Sequence, residues 1–180
     1  MKIKLFAGLV LGWVVVAGPG LAESANHFAE YRISATTAAA QVGQVRCVQP
    51  DAQANRLAAA ATNATRRSHG LPPVSPNATL ARAAARHACD MARRGVMSHR
   101  GSGTRGPMQR LKAQGYRPRL AAENIAAGPF AQDRVLREWE RSRGHLANIL
   151  IPQLRDYGIG HAIGADGRTI YWAAVYGAPR

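Results

Sequence analysis

Acidic residues are scarce in this 180-residue chain: ten Asp and Glu stand against 24 Lys and Arg, for a formal charge of +14. The imbalance points to partners of negative charge. Aromatic residues make up only 6% of the chain, and Tyr116 is the sole one between Arg93 and Arg119, where basic residues are densest. Single-stranded nucleic acids need stacking platforms that such a stretch does not supply, so no nucleic-acid partner is expected. Only two cysteines are present, Cys47 and Cys89. Beyond the N-terminus no stretch is long and apolar enough to span a membrane.

The N-terminus itself is apolar, in a particular order. Lys2 and Lys4 precede a run from Leu5 to Ala17, followed by Gly18-Pro19-Gly20 and then Leu21-Ala22. Basic, apolar and small-residue segments in that sequence are those of a secretory signal peptide, with cleavage expected after Ala22. A spanning helix needs about 20 apolar residues, and here the break comes after 13. The expected organisation is a signal peptide over 1–22, an extension over 23–50 and one domain over 51–180. A secreted or periplasmic protein of charge +12 would result, not membrane-spanning after cleavage. Export would place Cys47 and Cys89 where disulfides persist. A bridge between them would close a loop worth about 4 kcal/mol in the chain-entropy account; two buried free thiols are the alternative.

Periodicity supplies the elements. An alanine-rich stretch over 51–68 favours helix and stops at His69-Gly70-Leu71-Pro72-Pro73. A second helix runs from Asn77 or Ala78 to Arg94, with Leu80, Ala84, Ala88 and Met91 on one face and Gly95 as its end signal. Pro107 opens a short third helix that Gly115 ends. A fourth is expected over 131–142, with Ala131, Val135, Trp139 and Ser142 on one side. The period then becomes two. Tyr157, Ile159, His161 and Ile163 alternate with Gly158, Gly160 and Ala162, Asp166-Gly167 signals a hairpin, and TIYWAAVY returns apolar on both faces. Helices followed by an antiparallel pair that must be covered twice predict an α+β fold, a three-layer α-β-α sandwich with a central antiparallel sheet.

Three segments carry polar groups that are costly to bury unpaired: Met97-Ser98-His99, Glu123-Asn124-Ile125-Ala126 and Gly144-His145-Leu146-Ala147-Asn148-Ile149-Leu150. Around them stand Asn63-x-x-Arg66 followed by Gly-Leu-Pro-Pro-Val, Asp90-Met91-Ala92, Gly115-Tyr116, Trp139-x-x-Ser142-x-Gly144-His145, Gly158-Ile159-Gly160 and Tyr171-Trp172. In this order, from Leu57 to Gly177, they resemble the CAP superfamily of cysteine-rich secretory, antigen 5 and pathogenesis-related proteins, most closely its small secreted bacterial branch. The resemblance implies an α-β-α sandwich with a cleft where two histidines and two acids converge, able in some members to bind a divalent metal. His99, Glu123 and His145 match three of those positions. Where many eukaryotic members carry Trp-x-x-Glu, this chain has Trp139-x-x-Ser142, which departs from a four-ligand set.

On their own chemistry, two imidazoles and a carboxylate form the ligand set of many catalytic zinc sites, with water in the fourth place. The same trio, His99, Glu123 and His145, makes a general acid-base pair with the carboxylate orienting one ring, and Ser98 or Ser142 is then a candidate nucleophile. A structural polar network without turnover is the third reading. Asn124 belongs to the same expected cleft, and Asn148 is expected to tie its loop to backbone groups. His87, seven residues after Leu80, and His161, among isoleucines, read as packing histidines.

Eight basic residues and no acid lie between Arg93 and Arg119, with His99 inside the run. A positive rim there would attract lipid headgroups or an anionic envelope polymer; a solvated basic surface is the plainer alternative. The expectation is therefore a secreted binding module for lipid or an anionic envelope component. A metal-assisted or His/Glu-dependent hydrolase acting on peptide or cell-wall material comes second.

Overall fold

The computed structural model describes residues 43–180. The expected signal peptide and residues 23–42 of the extension lie outside the described residues. In chain order the elements are β1 (Arg46–Cys47), α1 (Ala52–Ser68), β2 (Ser75–Pro76), α2 (Ala78–Arg94), α3 (Pro107–Ala113), β3 (Pro118–Gly128), α4 (Gln132–Arg141), α5 (Arg143–Ile149), β4 (Asp156–Ile163) and β5 (Ile170–Pro179).

The helix boundaries follow from local chemistry. Asp51 caps α1 by accepting from the Ala54 amide at 2.6 Å, and Asn77 caps α2 by accepting from Thr79 and Leu80. Each cap satisfies amides that the first helical turn leaves without partners. Gly95 ends α2 in the left-handed conformation at φ 64°, a geometry that penalises side chains with a β-carbon. The expected fourth helix stops at Arg141, because Ser142 turns extended (φ −88°, ψ 117°) and α5 begins at the next residue.

The sheet runs β1-β4-β5-β3, with β2 pairing parallel to the Asp156 end of β4. The hairpin of β4 and β5 forms as read, turning at Gly167 with φ 66°. A third long strand, β3, pairs antiparallel with β5 from Pro118 to Gly128 and ends the sheet. Alternate residues of β5 serve the two faces, as a period of two requires. Trp172, Ala174 and Tyr176 pack with α1, α4 and α5, whereas Tyr171, Ala173 and Val175 pack with α2 and α3. The result is the expected three-layer sandwich. No described helix is long and apolar enough to cross a membrane.

Helix α2 lies unusually near β4, and glycine is the reason. A β-carbon on Gly158 would overlap the backbone of Leu80 and Ala81, and one on Gly160 would overlap the backbone of Ala85. Leu80, Ala84, Ala88 and Met91, the predicted stripe, are all fully buried on this face. The final residues of the expected extension also join the domain. Arg46 and Cys47 pair with Ile163 and Ala162 of β4, and Cys47 is bridged to Cys89 of α2, with their Cα atoms 5.1 Å apart.

Two stability outcomes follow. Gly158→Ala must displace helix backbone, so urea unfolding is expected to show a loss of about 3 kcal/mol, the upper end of overpacking costs. Gly103→Ala, where a β-carbon meets nothing within 4 Å, is expected to cost less than about 1 kcal/mol; equal losses at the two sites would refute the close-packing account. Replacing both Cys47 and Cys89 with serine is expected to remove about 2–4 kcal/mol, read as a denaturant midpoint below that of the disulfide-bonded protein.

Candidate functional site

As the terminal strand, β3 offers two faces and an unpaired edge, and the site uses all three. Glu123 points to the α2/α3 face and Asn124 to the face covered by α1, α4 and α5, because neighbours in a strand point oppositely. At the edge, Asn148 donates to the Glu123 carbonyl at 3.1 Å and the Trp139 indole donates to the Ile125 carbonyl at 3.3 Å. Side chains of α4 and α5 thus answer backbone groups that an edge strand would otherwise expose.

Glu123 is the only buried acid among the described residues, at 3% exposure. An isolated carboxylate in such surroundings would be strongly disfavoured. Its Oε2 accepts from the Arg110 guanidinium at 2.5 Å, and Arg110 is itself only 8% exposed. Its Oε1 lies 2.8 Å from Nδ1 of His99 and 3.7 Å from Nε2 of His87. An ionised carboxylate only accepts, so His99 Nδ1 carries a proton, and in the neutral ring Nε2 is the acceptor. The His99 side chain is 54% exposed. Arg110 also donates to the His99 carbonyl at 3.0 Å, fixing ring and backbone of one residue from a single buried pair.

His145 reaches the site from α5. Its Nδ1 meets Ser142 Oγ at 2.8 Å, its carbonyl accepts from Asn124 at 3.1 Å, and its ring lies 6.4 Å from that of Trp139. Burial lowers the His145 pKa below the usual imidazole value, and the charge of His99 lowers it further. Helix α5 has seven residues and no side-chain cap. Its position depends on Arg66, fully buried in α1, which donates to the carbonyls of Ile149 at 2.7 Å and Ile151 at 2.9 Å. Asn63 and Arg66, the two ends of one motif, also hold the Gly-Leu-Pro-Pro-Val segment through Val74 and Pro72.

The structure therefore brings His99 and Glu123 into contact, sets Asn124 and Asn148 against each other at 2.9 Å, and pairs Ser142 with His145. Asn148 ties α5 to the backbone of β3. Ser142 does not continue the helical face with Trp139; its extended backbone directs the hydroxyl to His145 instead. Two participants escaped the sequence reading. His87, read as packing, is 1% exposed and donates to the Ser98 carbonyl at 2.9 Å beside Glu123. Arg110, read as part of a positive rim, is buried against the carboxylate. A cation in a short helix next to Leu111, itself fully buried, was the available signal.

Among the described residues, no group of three or more His, Cys, Asp or Glu side chains is placed to hold a metal ion. As placed, Glu123 does not form a third ligand of a zinc set with His99 and His145: one of its oxygens accepts from the Arg110 guanidinium and the other from His99. The donor set does not fit the expected three-ligand site.

Burial also lowers the His87 pKa, against a smaller opposing pull from Glu123. A lowered base binds its proton in the unfolded chain before it does so in the fold, so stability is complete above about pH 6.5 and is lost as pH falls through the folded value. Unfolding at about pH 7.5 and about pH 5.5 should show this loss, with a slope of up to about 1.4 kcal/mol per pH unit for each such group. His87→Gln keeps a donor for Ser98 and is expected to flatten the slope, leaving the part that His145 and His161 supply. An unchanged slope would remove His87 from the account.

A profile of the Cysteine-rich secretory protein family, CAP, matches residues 59–176, more than half of the chain. The protein YkwD of Bacillus subtilis (strain 168) is 33% identical over 100 residues, which cover 56% of this chain and 39% of that relative. The match thus spans well under half of the relative's length. Among solved structures, an extracellular protein containing a SCP domain from Bacillus anthracis str. Ames matches with a TM-score of 0.61 and 27% identity over 70% of this chain and 41% of that one. An outer surface protein from Borrelia burgdorferi matches with a TM-score of 0.63 and 18% identity over 71% of this chain and 94% of that one, a likeness of fold. With the motifs in order, the sandwich formed and the profile spanning His99, Glu123 and His145, the chain belongs to the cysteine-rich secretory protein (CAP) family and is a CAP-domain protein of bacterial type.

Proposed function

We propose that this domain is an exported binding module that attaches to anionic lipid through the loop bearing His99. The carrying observation is the surface immediately before that histidine. Val96 and Met97 are 50% and 52% exposed, adjacent in sequence, and flanked by the exposed Arg93, Arg100 and Arg105. Apolar side chains that enter a headgroup layer, ringed by cations that meet its charge, are the two components of interfacial attachment. The half-exposed His99 ring, held by Glu123, follows two residues after Met97 in the same loop. Export is supported by the order of the N-terminal 22 residues, by the Cys47–Cys89 bridge, which belongs to oxidising compartments, and by the extracellular character of the Bacillus anthracis relative.

Ser142 and His145 favour a second reading. A hydroxyl 2.8 Å from an imidazole nitrogen is the contact that activates a serine nucleophile, and burial keeps that ring neutral enough to accept a proton. The orienting carboxylate, however, serves His99. This supports a hydrolase only as the alternative, and loss of any peptide or cell-wall hydrolysis in Ser142→Ala would be its signature.

Co-sedimentation of the purified protein with vesicles separates the two. Binding is expected to vesicles containing anionic phospholipid, to weaken with salt, and to be minimal on zwitterionic vesicles. Val96→Asp with Met97→Asp is expected to weaken partitioning at least about tenfold, consistent with removal of about 1.5 kcal/mol or more of apolar burial. Arg93→Gln with Arg100→Gln is expected to weaken it about thirtyfold, since each surface cation near a charged bilayer contributes about 1 kcal/mol. Equal binding to both vesicle types, or indifference to both double variants, would overturn the proposal.

A further inference from the structure

The outer face of α2 carries one kind of side chain. Beyond Ala78, the exposed residues of this helix are Arg82, Arg86 and Arg93, and all others are buried or partly so. Spacings of four and seven residues put the three on one side of the helix, spread over about 16 Å at 1.5 Å per residue. Helix α4 shows the opposite arrangement: Arg134 faces Glu138 and Arg137 faces Asp133, each pair four residues apart. In α2 the position four residues after Arg82 is Arg86, and like charges at that spacing weaken a helix. Among the described residues, no acid pairs with any of the three. The acids nearest in sequence are engaged elsewhere, Asp51 by the Ala54 amide and Asp90 by Ser102 and Arg94. Arg82 donates to the neutral Thr79 Oγ1 at 2.9 Å.

This row borders a groove. A cavity of about 300 Å³ lies between α2 and the arm at 47–50, lined by all three arginines and by no acid. The Cys47–Cys89 bridge joins its two walls covalently. Charge of one sign along a concave wall draws counter-ions more strongly than the same charge on an open surface, and planar guanidinium forks match oxyanions such as phosphate and carboxylate. Two kinds of anionic partner lack here what they need. Attachment to a bilayer requires apolar side chains that enter it, and the exposed large apolar residues, Leu57, Val96 and Met97, are absent from the lining. Single-stranded nucleic acid requires aromatic platforms, and none lines the groove. A narrow chain bearing a charge at each repeat needs neither.

We infer that the groove along α2 holds a flexible linear polyanion, whose successive oxyanion groups meet Arg82, Arg86 and Arg93. The inference does not rest on lipid attachment: Arg93 borders both surfaces, but Arg82 and Arg86 lie away from the loop at Val96 and Met97.

Inorganic polyphosphate is the probe, titrated into the purified protein by calorimetry at several salt concentrations. Saturable binding is expected, at least about a hundredfold tighter than that of orthophosphate, as linked contacts predict. Polyacrylate of matched length tells phosphate from carboxylate, and tighter binding of either polymer names the oxyanion recognised. Arg82→Gln with Arg86→Gln should weaken polymer binding at least about tenfold and flatten its salt dependence, because two fewer counter-ions are released. Arg141→Gln with Arg168→Gln, at exposed positions outside the groove, removes the same charge and should change affinity less than about twofold, since distant charges are screened. Val96→Ser with Met97→Ser should leave polymer binding unchanged. The inference is overturned if orthophosphate binds as well as the polymer, if the two arginine pairs have equal effects, or if oligothymidylate binds more tightly than polyphosphate. It is also overturned if the Arg82 and Arg86 changes weaken vesicle and polymer binding to the same degree, which would make the row part of the lipid surface.

Discussion

A carboxylate that cannot reach water organises this molecule. Glu123 requires a cation, and Arg110 supplies it from α3 with both partners almost fully enclosed. Such a pair contributes little net stability, since desolvation offsets most of the attraction, but removing one partner commonly costs about 3–5 kcal/mol. Its consequence is therefore positional. The guanidinium holds β3 against α3 and grips the His99 carbonyl, the carboxylate orients the His99 ring, and His87 closes the group from α2. A loop that would otherwise sample many conformations is thereby tied at His99.

The placement of His145 depends on satisfying an edge. Strand β3 has a partner on one side only, and its outward carbonyls at Glu123 and Ile125 are met by Asn148 and Trp139. For Asn148 to do this, α5 must sit directly beside the strand, and a seven-residue helix is too short to hold itself there. Arg66 provides the anchor from α1 through two carbonyls near the end of α5. The position of His145 is thus decided by a guanidinium nearly 80 residues earlier in the chain and by an amide three residues later. Both belong to motifs whose chemistry lies in backbone hydrogen bonds.

Helices α1 and α2 and the β4–β5 hairpin were legible because their signals are local: caps, a sustained apolar face, a stop glycine, alternation and a Asp-Gly turn. Strand β3 was not. Its sequence, PRLAAENIAAG, is rich in alanine and contains one β-branched residue, so intrinsic preference opposes a strand, and only its ladder with β5 makes it one. Helix α5 escaped for a related reason, having a glycine in its first turn and no cap. In the site, His99, Glu123 and His145 were visible as members of a motif. Arg110 was hidden because a surface arginine and a buried one look alike until the opposing carboxylate is located, and the same holds for His87.

Rigidity links the network to the exposed loop. The chain from Val96 to Arg100 is pinned at two successive carbonyls, Ser98 by His87 and His99 by Arg110, and both anchors are buried. Val96 and Met97 stand immediately before these pins and follow Gly95, whose amide closes α2. The apolar pair is consequently presented on a short segment fixed at both ends, and little backbone freedom would remain to be lost on the proposed attachment to lipid. Ordering cost is a principal term opposing association, so a loop fixed in advance binds more strongly than a mobile loop of identical composition. The buried acid thus acts at the surface without facing it, by determining how much entropy the exposed residues still have to lose.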